Sequence, residues 1–422
     1  MVRQHVHAAG KLNAGPSAPL AEVSAFAATQ AVWRFLHNDR VTLPLLAEPL
    51  QAVGQRWHQE HATAWALVIH DWSALSYPTH ARKKDRKTHG SPHSHGYDLG
   101  TLLLVDGRTG DPVAPLEMEL RTAQAISSTR PTVPPREASR LDNILPAMQA
   151  LDRLGLQERG VHIIDREADS LLHYRTWDAE RRHFLVRADE QRYVRWQGEE
   201  VTLAELYGRL QTQGHFRRSR DITYQGQMAV QHVAETTVVL DRPAWRQRRQ
   251  NGRVRKERVP GEPLTLRLIV SRVCNAQGVT VAWWCLFTNV PTDVAAATVA
   301  LWYYWRWRIE SFFKLLKSAG QAVEQWQQEG GEAIAKRLLV AAMACVLVWK
   351  LERAAMPEAL SFRAFLVRLS GRQMKYGTSH TAPALLAGLY VYLAMVESLD
   401  QHSVEELRAM KRHLHLTNPD TG

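Results

Sequence analysis

The 422-residue chain has little cysteine: three residues, Cys274, Cys285 and Cys345. An odd number with no paired spacing excludes a disulfide framework and the usual zinc sites, and points to a reduced, intracellular setting. Long hydrophobic runs are also missing. The longest, at 338–349, has 12 residues, short of the roughly 20 that span a bilayer, and reads as a buried core helix. No apolar core follows the first charged residues, so neither a secretion signal nor a membrane partner is expected. No internal repeat is visible. Acidic residues are scarce relative to basic ones: 42 Asp and Glu against 53 Lys and Arg give a formal net charge of +11. In an otherwise ordinary globular composition, that surplus points to a polyanionic partner, DNA or RNA.

Hydrophobic periodicity divides the chain. The first fifteen or so residues read as poorly ordered. Residues 20–57 carry a helical pattern. A strand is expected at 65–70, ending at Asp71, then a basic, His-rich loop (80–96) and strands at 97–105 and 113–120. A Pro-rich linker follows at 128–137. An amphipathic helix at 137–154 then leads to a short strand at 160–164, ending at Asp165. Such a succession argues for an α/β sheet of mixed strand direction. From about 190 to 288 the pattern is a meander of strands with no strong helix in most of it. Helices resume near 293 and continue to a last amphipathic one at 403–414.

Tyr303, Arg306, Glu310 and Lys317 form the most informative cluster. At about 100° per residue they fall in one stripe roughly 60° wide, spread over about four turns. Trp302, Trp305, Ile309, Phe312 and Leu316 lie on the opposite, buried side. One acid among cations and a tyrosine suits a metal-bound phosphodiester, although a solvated helix face would carry the same pattern.

Asp71 and Asp165 each follow an apolar run that reads as an inner strand. A carboxylate buried there is costly unless it is paired or holds a metal, whereas an Asp that merely caps the next turn would look alike. With Glu310 they make three hard oxygen ligands from distant segments, a set suited to two Mg²⁺ ions about 4 Å apart, with Mn²⁺ as a substitute. Glu167 and Asp169 read as acids at a helix N-terminus, and His80, His89, His93 and His95 as part of a flexible solvated loop. Residues 242–258 hold eight Arg or Lys and one acid, an exposed basic loop suited to salt-dependent phosphate contacts.

Taken together, these residues resemble a known family. Tyr303, Arg306, Glu310 and Lys317 match the YREK signature of DDE transposases of the insertion-sequence-four family, Tn-five-like members in particular. "DREAD" from Asp165 and "VIHDWSALSY" around Asp71 are similar to that family's two aspartate regions. The likeness runs from about residue 25 to 355. It implies an RNase H-like core with a mixed sheet, interrupted by a β-rich insertion and flanked by helical regions. The implied boundaries are 1–60 for an N-terminal DNA-binding region, 61–189 and 289–355 for the core, 190–288 for the insertion and 356–422 for a C-terminal region with a possible dimer contact.

The resemblance further implies a cut-and-paste enzyme in which Asp71, Asp165 and Glu310 hold Mg²⁺. Its substrate would be double-stranded DNA, both transposon ends and target. A hairpin intermediate and a homodimer in a paired-end complex are expected, in a prokaryotic cytoplasm and at the nucleoid when DNA-bound. Trp284 resembles the tryptophan that handles a flipped base, with adjacent Trp283 leaving that assignment ambiguous. Arg187, Tyr303, Arg306 and Lys317 resemble DNA contacts. A domesticated endonuclease and a catalytically silent DNA-binding protein are the alternatives. Two departures stand out: the stretch before "AVWRFLHND" is shorter than in relatives, and the C-terminal region lacks the expected Gly-Gly-Phe pattern.

Overall fold

The computed structural model describes residues 25–135, 139–250, 253–317 and 320–413. The expectation for the first fifteen residues lies outside them. Two helices lead, α1 (Ala25–Leu36) and α2 (Leu43–Glu60). Thr42 caps α2 by accepting from the Leu45 N–H, and Pro44 sits in the first turn, where no helical N–H is lost. Leu43, Ala47, Leu50, Gly54 and Trp57, spaced four and three apart, turn one face of α2 inward.

The sheet begins with an antiparallel meander: β1 (Ala66–Ser76), a two-residue β2 (Lys87–Thr88), β3 (His95–Asp106), β4 (Pro112–Arg121) and β5 (Ile126–Ser128). Then come α3 (Ile144–Ala150), β6 (Gly160–Ile164), α4 (Leu171–Ala179) and β7 (His183–Arg187). β6 pairs parallel to β1, and β7 parallel to β6. The order β4-β3-β1-β6-β7, three antiparallel strands followed by two parallel ones, is an RNase H-like core.

The stretch from 190 to 288 contains β8 (Tyr193–Trp196), β9 (Glu199–Thr202), α5 (Leu203–Thr212), β10 (Arg217–Tyr224) and β11 (Gln227–Leu240). It continues through β12 (Ala244–Gln250), β13 (Arg253–Val259), β14 (Leu264–Cys274) and β15 (Thr280–Thr288). β15 returns to pair with β7, so most of these strands extend the core sheet to 13 strands. β12 and β13 pair only with each other among the described residues. Among the described residues six α-helices follow: α6 (Ala296–Tyr304), α7 (Trp307–Leu316), α8 (Gly331–Arg353), α9 (Pro357–Leu369), α10 (Ala382–Gln401) and α11 (Val404–His413).

The main core lies where β1, β3 and β4 meet α2, α7 and α8. α8 is buried nearly all round, which accounts for its long apolar run. A second core joins α4 and α5 to the strands of the insertion, around a Trp177 with no exposure. α10 is long and apolar enough to cross a membrane by length and composition; here it packs on α9, and a Cβ at Gly388 would collide with the Leu366 carbonyl oxygen. Gly388→Ala must push the two helices apart. A loss of about 2 kcal/mol is expected, read as a lower urea midpoint.

Several expectations need correction. β1 does not end at Asp71 but runs on to Ser76, because its antiparallel partner β3 continues after its parallel partner stops. The helix expected from 137 shrinks to α3: Pro146 fits only a first turn, and Gly155, in left-handed conformation with φ 78°, ends the 3₁₀ turn after it. Helix α5 appears within the stretch read as a meander of strands, nucleated by a capping box between Thr202 and Glu205. The linker is anchored at its start, since Ser128, Thr129 and Arg130 are buried. The basic segment is a self-paired hairpin rather than a loop. The His-rich loop is partly tied down, with His89 2.9 Å from Asp98.

Candidate active site

Strand register brings the two aspartates together. The parallel ladder of β1 and β6 ends with Ile69 facing Ile163. Asp71 and Asp165 each lie two residues beyond that pair, so alternation returns both to the face of those isoleucines, at the same level. The next ladder sets Ile164 opposite Val186, which brings Arg187 level with Asp165. Its Nη1 lies 4.0 Å from Asp165 Oδ1. Each carboxylate also accepts the N–H of the following residue, Asp71 from Trp72 at 2.8 Å and Asp165 from Arg166 at 2.7 Å. Asp165 thus also caps the 3₁₀ turn Arg166–Ala168.

The third segment comes from α6 and α7. The expected single helix of four turns is in fact two helices, with a break at Trp305 and Arg306 and an end before Lys317. Of the expected stripe, Tyr303 is 8% and Arg306 7% exposed. Both face inward because the carboxylates are there. Arg306 spans the pair, with Nη1 3.0 Å from Asp71 Oδ2 and Nη2 3.3 Å from Asp165 Oδ2. The Tyr303 hydroxyl donates to Asp165 Oδ1 at 3.1 Å. Glu310 sits exposed on the first turn of α7, where a helix N-terminus favours an acid. Lys317 is placed elsewhere: its ammonium donates to the Ala74 carbonyl, three residues beyond Asp71, and lies 3.8 Å from Glu324.

Electrostatics follow from burial. Desolvation pushes the Asp71 carboxyl up to about 6; Arg306 and the Trp72 N–H oppose the rise, and Glu310 and Glu167 add to it. Burial pulls the Arg306 guanidinium down, but Asp165, Tyr303, Asp71 and Glu310 more than offset it and the net shift is upward. The Tyr303 hydroxyl is raised, chiefly by burial and then by Asp165. This is a site short of positive charge, in which one guanidinium serves two carboxylates and senses a third.

That donor set fits a hard divalent cation by its chemistry, since Asp71, Asp165 and Glu310 offer only oxygen and Asp71 is held in a state that a cation would relieve. As the side chains stand, no three His, Cys, Asp or Glu among the described residues are gathered closely enough to hold a metal. Arg306 fills the space between the two aspartates.

Trp284 lies on the same face of the sheet as Arg187, because Leu286 faces Arg187 and Trp284 is two residues along β15. It packs edge-on against Tyr224 and clusters with Tyr304, on the α6 side of β15. Trp283, on the opposite face, stacks on Tyr207 at 4.4 Å. The ambiguity between them is thus one of face, and Trp284 has the face toward α6.

Some neighbours carried no signal in the sequence. His70 and His162 form a fully enclosed pair, Nε2 to Nδ1 2.8 Å apart, beside Asp71. Burial first, then Arg130, lowers His70 to about 3, so it is neutral. Behind them Arg130 donates to Glu119 at 2.9 Å and to Asn143 at 2.8 Å, and pairs with Glu117 at 2.8 Å. Burial lifts the Glu117 carboxyl to about 7. The His70–His162 contact joins segments 92 residues apart, which no local pattern reveals, and the Arg130 contacts join separate elements across the linker.

Residues 66–347, about two thirds of the chain, match the family model of the transposase DDE domain. No curated protein matches. Among solved structures the chain is similar to a piggyBac transposase determined by cryo-EM as a synaptic complex with hairpin DNA. The identity is 9% and the TM-score 0.35, over 84% of this chain and 58% of that one. The chain therefore spans less than two thirds of the length of that protein.

Proposed function

The chain belongs to the transposases with a DDE domain, and from that premise we propose that it is a cut-and-paste DNA transposase with Asp71, Asp165 and Glu310 as its metal ligands. The carrying observation is the single guanidinium of Arg306 shared by Asp71 and Asp165, which draws β1, β6 and the α6–α7 segment to one point. Mg²⁺, with Mn²⁺ as a substitute, would supply Lewis-acid stabilisation of the phosphodiester and of the oxygens entering and leaving it.

Water forms a P–O bond at the transposon boundary while the bond to the 3′ oxygen breaks; the proton the water loses is matched by one taken up by the 3′ oxygen, leaving a 3′-OH and a 5′-phosphate. That 3′-OH then attacks the opposite strand, forming a hairpin and releasing the flank. Hydrolysis of the hairpin restores the 3′-OH, which finally attacks target DNA. Arg306 and Tyr303 hold the carboxylates until DNA arrives, then turn to phosphate oxygens. Arg187, level with Asp165, contacts the same strand; Lys317 contacts it further along β1, and Trp284 handles a displaced base.

In this reading residues 1–60 contribute to end recognition and 356–422 to a homodimer that pairs two ends. Asp165→Asn is expected to leave DNA binding intact and remove Mg²⁺-dependent cutting of the element's own terminal repeats. Full cleavage by that variant would overturn the proposal.

A further inference from the structure

A second DNA-facing feature lies outside the carboxylate site. β12 and β13 form a hairpin of seven register pairs, from Ala244 opposite Val259 to Gln250 opposite Arg253. Across 242–258 it carries eight Arg or Lys against one acid, Glu257. Arg242, Arg246 and Arg258 are exposed on it, where they can meet phosphate oxygens.

At the foot of the hairpin is a cavity of about 530 Å³, within the range that ligands occupy. Tyr193, Arg242 and Trp245 are among the residues that line it. The Arg242 guanidinium stacks 3.7 Å above the Tyr193 ring and is fixed by two hydrogen bonds to Glu200, at 2.9 and 2.8 Å. Trp245 is 58% exposed. Planar cations and indole faces are the surfaces on which unpaired bases stack.

The cavity is also joined to the catalytic carboxylates. Arg192 in its wall pairs with Asp169 at 2.8 Å, and Asp169 is four residues from Asp165, at most about 14 Å by chain reach. Arg187, beside Asp165, closes the strand that leads to Asp189 and Arg192.

We infer that this cavity and the hairpin bind a DNA strand running on from the active site: phosphates along β12 and β13, and one unpaired base against Trp245 and the Tyr193–Arg242 stack. The inference rests on the reading of the chain as a DNA transposase.

The test uses the full chain in Ca²⁺, with two labelled DNAs of about 40 base pairs, one fully paired and one with a short unpaired stretch, titrated by fluorescence anisotropy over a range of KCl. Arg246→Gln combined with Arg258→Gln should flatten the plot of log K against log salt by about 1.8, roughly 0.9 per lost phosphate contact. Trp245→Ala should weaken binding of the unpaired substrate about tenfold and of the paired duplex less than twofold, with Trp245→Phe restoring most of the loss. An unchanged salt slope, or an equal effect of Trp245→Ala on both DNAs, overturns the inference while leaving the transposase reading standing. Failure of the unsubstituted protein to bind either DNA would defeat that reading, and the inference with it.

Discussion

Asp71→Asn is expected to abolish strand cleavage, by about a thousandfold or more, and at the same time to stabilise the folded protein above pH 6. The two effects have one cause. Burial lifts the Asp71 carboxyl from 3.8 to about 6 even with Arg306 beside it, so the fold disfavours the ionised form that a metal needs. A carboxyl whose folded value is raised brings no penalty below the unfolded value near 4. The penalty grows between pH 4 and 6 and is complete above 6, where linkage puts it at about 3 kcal/mol or less. Asparagine keeps the shape and removes the charge, while Arg306 retains Asp165. Thermal unfolding in EDTA should show the variant and the unsubstituted protein melting together at pH 4, with the variant a few degrees higher at pH 8. Parallel curves across that range would show that Asp71 is not held in a strained state.

Arg306→Leu should have the opposite effect on stability. It leaves Asp71 and Asp165 facing each other without the guanidinium that contacts both. Stranding the largely buried charge of Asp71 in this way costs about 3–5 kcal/mol, and the loss should appear above pH 6 and shrink as that carboxyl takes up its proton. A divalent cation offers the same counter-charge. Millimolar Ca²⁺ should therefore raise the melting temperature of Arg306→Leu by more than that of the unsubstituted protein, where guanidinium and cation compete for the same oxygens. Equal shifts in both would mean that the carboxylates do not hold the metal. Since the readout is stability, it stands apart from any effect of Arg306 on DNA.

The contrast between these two variants shows what the sequence could and could not convey. Asp71, Asp165 and Glu310 were visible as residues because acids after apolar runs and a spaced stripe are local patterns. The meeting of Asp71 and Asp165 depends on Ile69 facing Ile163, a register between strands about 90 residues apart that no local pattern encodes. For the same reason Arg306 was legible as a cation beside Glu310 but not as a 7% exposed group shared by two aspartates from other segments.

The break at Trp305 and Arg306 was hidden because both residues keep helical dihedrals, with φ −72° and −50°. By contrast, α5 was legible: Thr202 and Glu205 stand three apart in the capping-box pattern, outweighed by the strand-rich sequence around them. The hairpin of β12 and β13 was masked by its charge, which suggests a loop to any reading based on hydrophobic alternation.

The measurement that tests the central claim most directly is cleavage of an end-labelled duplex bearing the element's own terminal repeat. Its arms are Mg²⁺, Ca²⁺, and Glu310→Ala in Mg²⁺, with products resolved on native and denaturing gels. A nick at the repeat boundary that matures into a slowly migrating hairpin is expected, with Mg²⁺ only and not with Glu310→Ala. Cleavage that persists undiminished in Glu310→Ala would contradict that claim, as would stable binding to the repeat with no cut in any arm.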